Sequence, residues 1–447
     1  MLVGRHFWPH GAVDAGGHLV ELATGLKLAG LHVSVVTPKY STAWADQFAF
    51  REIGVYRPVR MFRSGWTARG DRSSSRYIRY LREWLAKNPL SCDLFFCDAA
   101  REESIATVEA ARQCGVPVVV RIGGNGSCSD IEFFMQSRAG KRCRSAAMDA
   151  DAVVLGNAAN HRNWIAMGGK PLTSHRIPIG VGPALDQGLS NQSRLRRAMA
   201  RINGDLYVPD HCAVVLSVEG LRKDSGVTTL VDSAFALSQK INTLHFWFVG
   251  DGPLRDSIYE RLKADGLRQS VAMPGSFAIS DDVFAAADLM VHIGDEGFEH
   301  QIPTAIAAAL PLIVANTPTA RQFFAISDAQ VRERIIERLA DAVTAGNPQG
   351  GGPLPEQTLP EQTLPIQSTG QGVWWFDPGR PKTLRFAIQQ ITSDLETARQ
   401  RAQQLRRIFQ QTRSGSESIQ QYVRLFRHLV DFSAPNNQQS PSTETAQ

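Results

Sequence analysis

Short apolar runs alternate with segments of helical periodicity along the first part of this chain. The runs that predict buried strands are Met1–Phe7, Val33–Thr37, Leu94–Cys97, Gly115–Arg121 and Ala152–Leu155. Between them, apolar residues recur with a helical period, as in Val20–Ala29 and Ile105–Cys114. Strands that alternate with helices are typical of a parallel sheet covered by helices on both faces.

The alternation pauses after Ile177–Gly182, where a polar stretch follows. It resumes with predicted strands at Ala213–Val218, Leu244–Val249, Val271–Met273, Leu289–Ile293 and Leu312–Ala315. Two such runs separated by a linker predict an α/β protein with two Rossmann-like domains that face a cleft. We assign residues 1–185 to the first domain and residues 186–390 to the second.

The composition changes near residue 346. Residues 346–372 contain three consecutive glycines and the tandem repeats Leu354–Thr358 and Leu359–Thr363. Few apolar residues and repeated proline favour a disordered or extended low-complexity insertion in the second domain. Long helices are predicted at about 382–412 and 417–432, so that 391–432 forms a C-terminal helical segment. The polar tail, residues 433–447, is predicted to be disordered.

The totals fit two globular domains, since 447 residues with 43% hydrophobic and 20% charged residues exceed one compact core. No apolar run reaches about eighteen residues, so no segment is expected to span a bilayer. The six cysteines include no Cys-x-x-Cys pair, which argues against a zinc site or a disulfide framework. Because Met1–Phe7 lacks the pattern of a secretory leader, we expect a cytoplasmic protein.

The net charge of +5 is unevenly distributed. Eight arginines and a single acid lie between Arg57 and Arg82, interleaved with aromatic and aliphatic residues, and residues 72, 76 and 79 have helical spacing. Such a helix could contact anionic lipid at the inner face of a membrane or bind phosphates of an acceptor. It could equally be a solvated surface helix. Nucleic acid is not an expected partner, because no known binding module accompanies the arginines.

Three glycine-containing segments are candidates for ligand binding. Glu296 and Gly297 follow a predicted strand, at the edge where open α/β sheets bind ligands. Alternatively, Glu296 is an exposed acid that favours a helix start. Gly16 and Gly17 precede a helix and could bring backbone amides to an anion, although a tight turn explains them equally well. Arg121 precedes a glycine-rich loop and could pair with an acidic or phosphorylated acceptor, or the glycines only turn the chain.

Taken together, these segments resemble glycosyltransferase family 4. The similar segments are Gly16-Gly17 with Glu21–Ala23 and Leu26–Val33, then Asp149–Val154, Ile177–Val181, Val249–Pro253, Val271–Gly275, Ala285–Val291 and Glu296–Phe298. They follow the family's order from near residue 1 to about residue 390, with the tandem repeats unmatched. The resemblance implies a GT-B fold, a nucleotide-sugar donor and retention of the anomeric configuration without an essential metal or other cofactor. It also implies that C-terminal helices return to brace the first domain.

The resemblance also implies roles for individual residues. Glu296 would lie near the donor sugar, and the amides of Gly297 and Phe298 would bind its hydroxyls. In the turn after the strand Ala213–Val218, the family's arginine and lysine are replaced by Gly220 and Ser225. The neighbouring cations Arg222 and Lys223 could neutralise the leaving diphosphate instead, or they belong to an ordinary charged loop.

The remaining donor-side candidates are Gly16, Gly17, Gly250, Phe277 and Thr304. The amides near Gly16 and Gly17 would contact the diphosphate, and Phe277 would flank the base. Thr304 replaces the glutamate that usually binds the ribose, and its hydroxyl cannot supply a charged bidentate contact. Weaker or altered nucleotide binding is therefore expected.

The sequence predicts a hexosyl- or related transferase that moves a sugar from a nucleotide-sugar to a glycan or lipid-linked acceptor. The alternative is a catalytically inactive glycosyltransferase-like binding or scaffold protein, which the residues at 220, 225 and 304 support. A nucleotide-dependent dehydrogenase is less compatible with the chain, because its glycine fingerprint and ribose-binding acid are not recognisable.

Overall fold

The computed structural model describes residues 1–7, 15–59, 72–87, 91–185, 189–223, 225–276, 281–325 and 372–433. The chain divides into two compact units, Met1–Ile179 with Ser416–Gln447 and Gly180–Gly415. Each unit contains a mainly parallel sheet packed with helices, so the predicted class of two Rossmann-like α/β domains is confirmed. The predicted low-complexity insertion up to residue 371 and the tail from residue 434 lie outside the described residues.

The first unit has an eight-stranded sheet in the order β3-β4-β2-β1-β5-β6-β7-β8. Its strands are β1 (Leu2–Gly4), β2 (Ser34–Val36), β3 (Gln47–Phe50), β4 (Ile53–Tyr56), β5 (Phe95–Asp98), β6 (Val118–Ile122), β7 (Ala152–Leu155) and β8 (Ser174–Arg176). Its helices are α1 (Ala15–Leu28), α2 (Arg72–Lys87), α3 (Glu102–Cys114), α4 (Asp130–Gln136), α5 (Arg138–Met148) and α6 (Ala158–Ala166). The pairs run parallel except for the hairpin β3–β4.

The hairpin β3–β4 was not predicted from the sequence. Arg51 and Glu52 form its turn with φ values of 48° and 62°, a left-handed conformation that usually selects glycine or asparagine. Because the turn carries neither residue, the usual sequence signal for a hairpin is missing.

The second unit has a six-stranded parallel sheet in the order β11-β10-β9-β12-β13-β14. Its strands are β9 (Ala213–Val218), β10 (Leu244–Val249), β11 (Val271–Gly275), β12 (Leu289–His292), β13 (Leu312–Ala315) and β14 (Val373–Phe376). Its helices are α7 (Leu189–Ile202), α8 (Val227–Ser238), α9 (Arg255–Ala264), α10 (Asp281–Ala286), α11 (Gln301–Ala307), α12 (Pro318–Phe324), α13 (Pro381–Ser393) and α14 (Leu395–Thr412).

The helix predicted at about 382–412 is two helices. Asp394 separates α13 from α14, and its carboxylate accepts a hydrogen bond from the amide of Thr397 at 3.1 Å, which caps α14. The last helix, α15 (Gly415–Ser433), returns to the first unit. There Tyr422 and Phe426 pack on Phe96, with ring centroids 5.7 and 5.6 Å away.

The central strands of both sheets are buried on their two faces, as is typical of parallel sheets. In β12, for example, each of the residues Leu289–His292 is buried.

Among the described residues, no helix combines the length and the apolar character needed to cross a membrane.

Candidate functional site

The turns after β9 and β12 meet at one edge of the second unit's sheet. The two strands are parallel neighbours, with Leu289 opposite Val215 and Met290 opposite Leu216, so their carboxyl ends point the same way. Nη2 of Arg222 donates a hydrogen bond to Oε1 of Glu296 at 2.7 Å. The two side chains are 21% and 17% exposed. The structure thus brings together a cation and a carboxylate that lie 74 residues apart in sequence.

Gly220 explains why Arg222 reaches this position. A Cβ atom on Gly220 would lie 3.7 Å from Cζ of Arg222 and 3.8 Å from Oε2 of Glu296. The guanidinium therefore lies beside the backbone position from which the family's arginine would extend. A side chain longer than Cβ at residue 220 would compete with Arg222 for this space.

A buried carboxylate that sequence analysis missed holds the two turns together. Glu219 is 3% exposed, and its Oε1 accepts a hydrogen bond from the amide of Ile293 at 3.1 Å. The same oxygen lies 3.2 Å from Nδ1 of His292, which is fully buried. The only sequence signal was an acid in a turn after a strand, next to the cations that drew attention. Glu219 fixes the β9 turn to the loop that carries Glu296.

The loop after β10 packs directly on the β9 turn. Gly250 has a φ of 149°, and a Cβ atom there would lie 1.9 Å from the carbonyl oxygen of Glu219. The amide of Leu221 donates to the carbonyl of Asp251 at 3.0 Å. Glycine is therefore required at residue 250 by the close approach of two backbones, next to the Arg222–Glu296 pair.

In the loop after β12, residues 297 and 298 have no side chain available to a ligand. Gly297 has a φ of 102°, and a Cβ atom there would lie 2.6 Å from the side chains of Gln301 and His292. Phe298 is only 1% exposed and packs edge-to-face on His292, with ring centroids 5.0 Å apart. The phenyl ring belongs to the core, so any contact from residues 297 and 298 to a ligand would come from their amides.

Hydroxyl groups stand at two positions where the resemblance implies charged residues. The Thr304 hydroxyl donates to the carbonyl of His300 at 2.7 Å, and the side chain is buried. The Ser225 hydroxyl donates to the carbonyl of Arg222 at 2.8 Å. Both donors are satisfied inside the protein, so each hydroxyl retains only acceptor capacity for a ligand.

Lys223 and Phe277 are the two remaining predicted site residues of the second unit. Lys223 lies on the same turn as Arg222 and is exposed. Phe277 lies outside the described residues, so its predicted contact with the base stays a prediction.

The first unit places Gly16 and Gly17 in the first turn of α1. Next to them, His18 is buried, and its Nδ1 lies 3.4 Å from Oδ1 of Asp98 at the end of β5. This contact fixes the start of α1 to the carboxyl edge of the sheet.

Arg121 is buried, and its predicted contact with an acceptor stays a prediction. It lies within β6, as its predicted strand indicated, has no exposed surface and pairs with Asp98. Burial disfavours the ionised carboxylate, but Arg121 and then His18 outweigh it, so the pKa of Asp98 lies well below its usual range. The predicted strand Gly115–Arg121 contained this residue, but nothing in the local pattern indicated its burial on Asp98.

A second buried ionic cluster lies at the ends of β1 and α3. Arg5 donates to Glu103 at 2.9 Å and to Glu102, and the Tyr77 hydroxyl also donates to Glu103 at 2.9 Å. Burial disfavours the guanidinium charge, but the two glutamates outweigh it and raise the pKa of Arg5 well above its usual value. Sequence analysis missed this cluster, whose only signal was Arg5 next to an apolar run.

The basic segment between Arg57 and Arg82 is less exposed than predicted. Arg57 is 4% exposed, and its guanidinium lies 4.3 Å from the ring centroid of Phe48 and 4.6 Å from that of Trp44. Burial lowers the pKa of Arg57. In α2, the apolar residues Tyr77, Ile78, Leu81 and Leu85 are buried in the core. Residues 60–71 lie outside the described part, and the exposed face of α2 is mainly charged.

Two Rossmann-like units in one chain are the architecture of the GT-B fold. The family model of glycosyl transferases group 1 matches residues 212–345, which lie in the second unit. No match to a curated protein was found.

Solved structures share the fold over nearly the whole chain. Sucrose-phosphate synthase from Thermosynechococcus elongatus is 17% identical with a TM-score of 0.65, covering 97% of this chain and 100% of that one. Anabaena HepE in complex with UDP-glucose is 15% identical with a TM-score of 0.61, covering 96% and 100%. A glycosyltransferase from Rickettsia africae is 12% identical with a TM-score of 0.57, covering 96% and 98%. The chain thus has the GT-B fold, and part of its second unit is similar to the model of glycosyl transferases group 1.

Proposed function

We propose that the protein transfers a sugar from a nucleotide-sugar donor to a glycan or lipid-linked acceptor. The observation that carries the proposal is the half-buried Arg222–Glu296 ion pair at the carboxyl edge of β9 and β12. It lies inside the segment that matches the glycosyl transferases group 1 model. The Anabaena HepE structures, which have a similar fold, contain UDP or UDP-glucose, and this supports a nucleotide-sugar as the donor.

In this proposal, Arg222 changes partners when the donor binds. Its guanidinium has a planar fork of donors that matches a phosphate as well as a carboxylate. The doubly charged diphosphate would draw Arg222 and Lys223, and Glu296 would then accept hydrogen bonds from hydroxyls of the sugar. The pair observed at 2.7 Å keeps both side chains satisfied before the donor arrives.

The reaction breaks the bond between the anomeric carbon and the diphosphate oxygen. The acceptor hydroxyl forms the new carbon–oxygen bond on the same face of the sugar, and its proton passes to the departing diphosphate. Retention of configuration follows from the family resemblance. Arg222, Lys223 and backbone amides supply the positive charge that stabilises the leaving group, so the proposal requires no metal ion. The amides near Gly16 and Gly17 are proposed to contribute in the same way.

The donor site can be tested by calorimetric titration of UDP, GDP and ADP into wild type and Arg222→Gln. The loss of a charge-assisted contact to phosphate should weaken binding of the preferred nucleotide by about tenfold or more. Arg261→Gln is the matched control, because Arg261 forms an exposed 2.6 Å ion pair with Asp232 on the helices of the same unit. Equal binding by Arg222→Gln and the control would remove Arg222 from the donor site.

One observation favours the alternative of a catalytically inactive binding or scaffold protein. The hydroxyls of Ser225 and Thr304 donate to backbone carbonyls, so neither provides the cation or the carboxylate that the resemblance implies. In that case wild type would keep its folded state yet bind none of the three nucleotides. Selective binding of one nucleotide, with turnover of its sugar derivative, would exclude the alternative.

A further inference from the structure

An open groove lies along β14, the last strand in the sheet order of the second unit. It encloses about 630 Å³, which falls within the usual size range of ligand sites. Residues that line it include Trp374, Trp375, Lys382, Phe386, Gln390 and Arg401. The Arg222–Glu296 pair is not among its lining residues, so the groove is separate from the proposed donor site.

One wall of the groove is formed by α13, which carries the exposed aromatic ring of Phe386. Lys382, Phe386 and Gln390 are four residues apart and therefore share one face of the helix. A different face supplies the core with Leu384, Ala387, Ile388 and Ile391. Phe386 is 67% exposed and is not one of the residues with which this helix packs on the core. Together with the tryptophans that line the same groove, this ring contributes to a contiguous apolar patch, and such patches are typical of binding surfaces.

The strand side of the groove adds further aromatic surface. Trp374 and Trp375 are both half-buried, and each has a cation close to its ring. Arg401 lies 6.0 Å from the ring centroid of Trp374, and Arg321 lies 4.2 Å from that of Trp375. The apolar face of a sugar ring, formed by C–H groups, packs well on aromatic rings, while its hydroxyls require hydrogen-bonding groups such as the Gln390 amide.

The charge of the groove selects among saccharides. Lys382 and Arg401 are exposed, and the described residues that line the groove include no aspartate or glutamate. Two cations beside aromatic rings can bind a carboxylate or sulfate through charge-assisted hydrogen bonds. A neutral sugar would offer no negative charge to these two cations.

We propose that this groove binds an anionic oligosaccharide, with sugar rings on Phe386 and Trp374 and an acidic substituent between Lys382 and Arg401. The choice of a saccharide rests on the proposed function, because a transferase that extends a glycan gains from holding that glycan away from its reaction centre. Binding in the groove itself requires neither a nucleotide nor turnover.

The test measures calorimetric binding of hexagalacturonate, dextran sulfate hexamer and uncharged maltohexaose to the full chain. Wild type should bind at least one acidic hexasaccharide, more tightly than maltohexaose and less tightly as salt is raised. Phe386→Ala should weaken this binding by about tenfold. The matched control is Tyr207→Ala, because Tyr207 is 65% exposed in the same unit and lies outside the groove.

Charge variants provide a second readout. Lys382→Gln and Arg401→Gln should each weaken acidic binding several-fold and reduce its salt dependence, whereas Lys263→Gln on α9 should change neither. Arg222→Gln should bind the acidic hexasaccharide like wild type, so failure of the proposed donor site would not be confused with failure of the groove.

Three results would overturn the proposal. The first is a lack of binding to both acidic hexasaccharides, and the second is equal binding by Phe386→Ala and Tyr207→Ala. The third is a different occupant of the groove. Dimerisation of wild type that Phe386→Ala abolishes in sedimentation would identify a second copy of the chain. Saccharide binding that appears only after deletion of residues 346–371 would identify that segment.

Discussion

Both units place charged side chains at the carboxyl edge of a parallel sheet, but with different exposure. In the first unit, Asp98 and Arg121 are 3% and 0% exposed and are paired with each other. In the second unit, Arg222 and Glu296 retain about a fifth of their surface and can exchange partners with a ligand. The first arrangement is suited to holding the fold, because a buried ion cannot leave its partner without a large desolvation cost. The second is suited to binding.

The difference in exposure between the two ion pairs predicts that one substitution in the buried pair greatly destabilises the protein. Asp98→Asn breaks the buried ion pair between Asp98 and Arg121, and this should cost about 3–5 kcal/mol of unfolding free energy. Urea denaturation measures the effect. Glu296→Gln is the matched control, because its partner can be solvated, and it should cost less than about 1 kcal/mol. Similar losses in the two variants would contradict the distinction between the pairs.

Lowering the pH should reduce the contribution of the Asp98–Arg121 pair to the stability of the fold. Because the pKa of Asp98 is depressed in the folded protein, its ionisation stabilises the fold fully above the unfolded value of about 3.9. That contribution is lost as the pH falls from there towards the folded pKa. The stability gap between wild type and Asp98→Asn should therefore stay constant from neutral pH to about pH 5 and narrow by about pH 3. Urea titrations at these three pH values would show the trend, and a gap that widens in acid would contradict it.

A change at the second edge should affect activity rather than stability. Under the proposed function, Glu296→Gln retains the shape of the side chain but loses the charge that orients the sugar. Transfer should fall by about tenfold or more, with a nearly unchanged melting temperature. The measurement is turnover of the preferred nucleotide-sugar, once nucleotide binding has identified it. Undiminished turnover would remove Glu296 from the mechanism, and Arg261→Gln again serves as the variant expected to behave like wild type.

The sequence was sufficient for the α/β class because apolar runs such as Leu312–Ala315 fill whole strands, and only doubly covered strands tolerate that pattern. It was insufficient for β3–β4, where the turn at Arg51 and Glu52 adopts positive φ without glycine or asparagine. Prediction of secondary structure relies on local sequence pattern. It therefore fails where tertiary contacts hold a residue in a conformation that its type does not favour.

Some residues of the site could likewise be predicted from the local sequence, and others could not. The loop of Glu296 could be recognised because a carboxylate and a glycine directly follow an apolar strand. The pairing with Arg222 could not, because it joins two loops that only the sheet order brings together. Glu219 and His292 were missed for the same reason, and so was the pairing of Arg121 with Asp98, although the strand that carries Arg121 was predicted. Local chemistry is visible in sequence, whereas burial and partners require the fold.

The smallest expected effect concerns the exposed arginines of α2. Arg76 and Arg79 are exposed, while Tyr77 and Ile78 between them are buried in the core, so any membrane contact would be mainly electrostatic. The double variant Arg76→Gln, Arg79→Gln should lower binding to phosphatidylserine vesicles by about 1 kcal/mol per arginine, and only at low salt. Vesicle sedimentation measures this, with phosphatidylcholine vesicles and the exposed Lys263→Gln variant as controls. Sedimentation of wild type that shows no preference for anionic lipid would exclude the contact and leave α2 as a solvated surface helix.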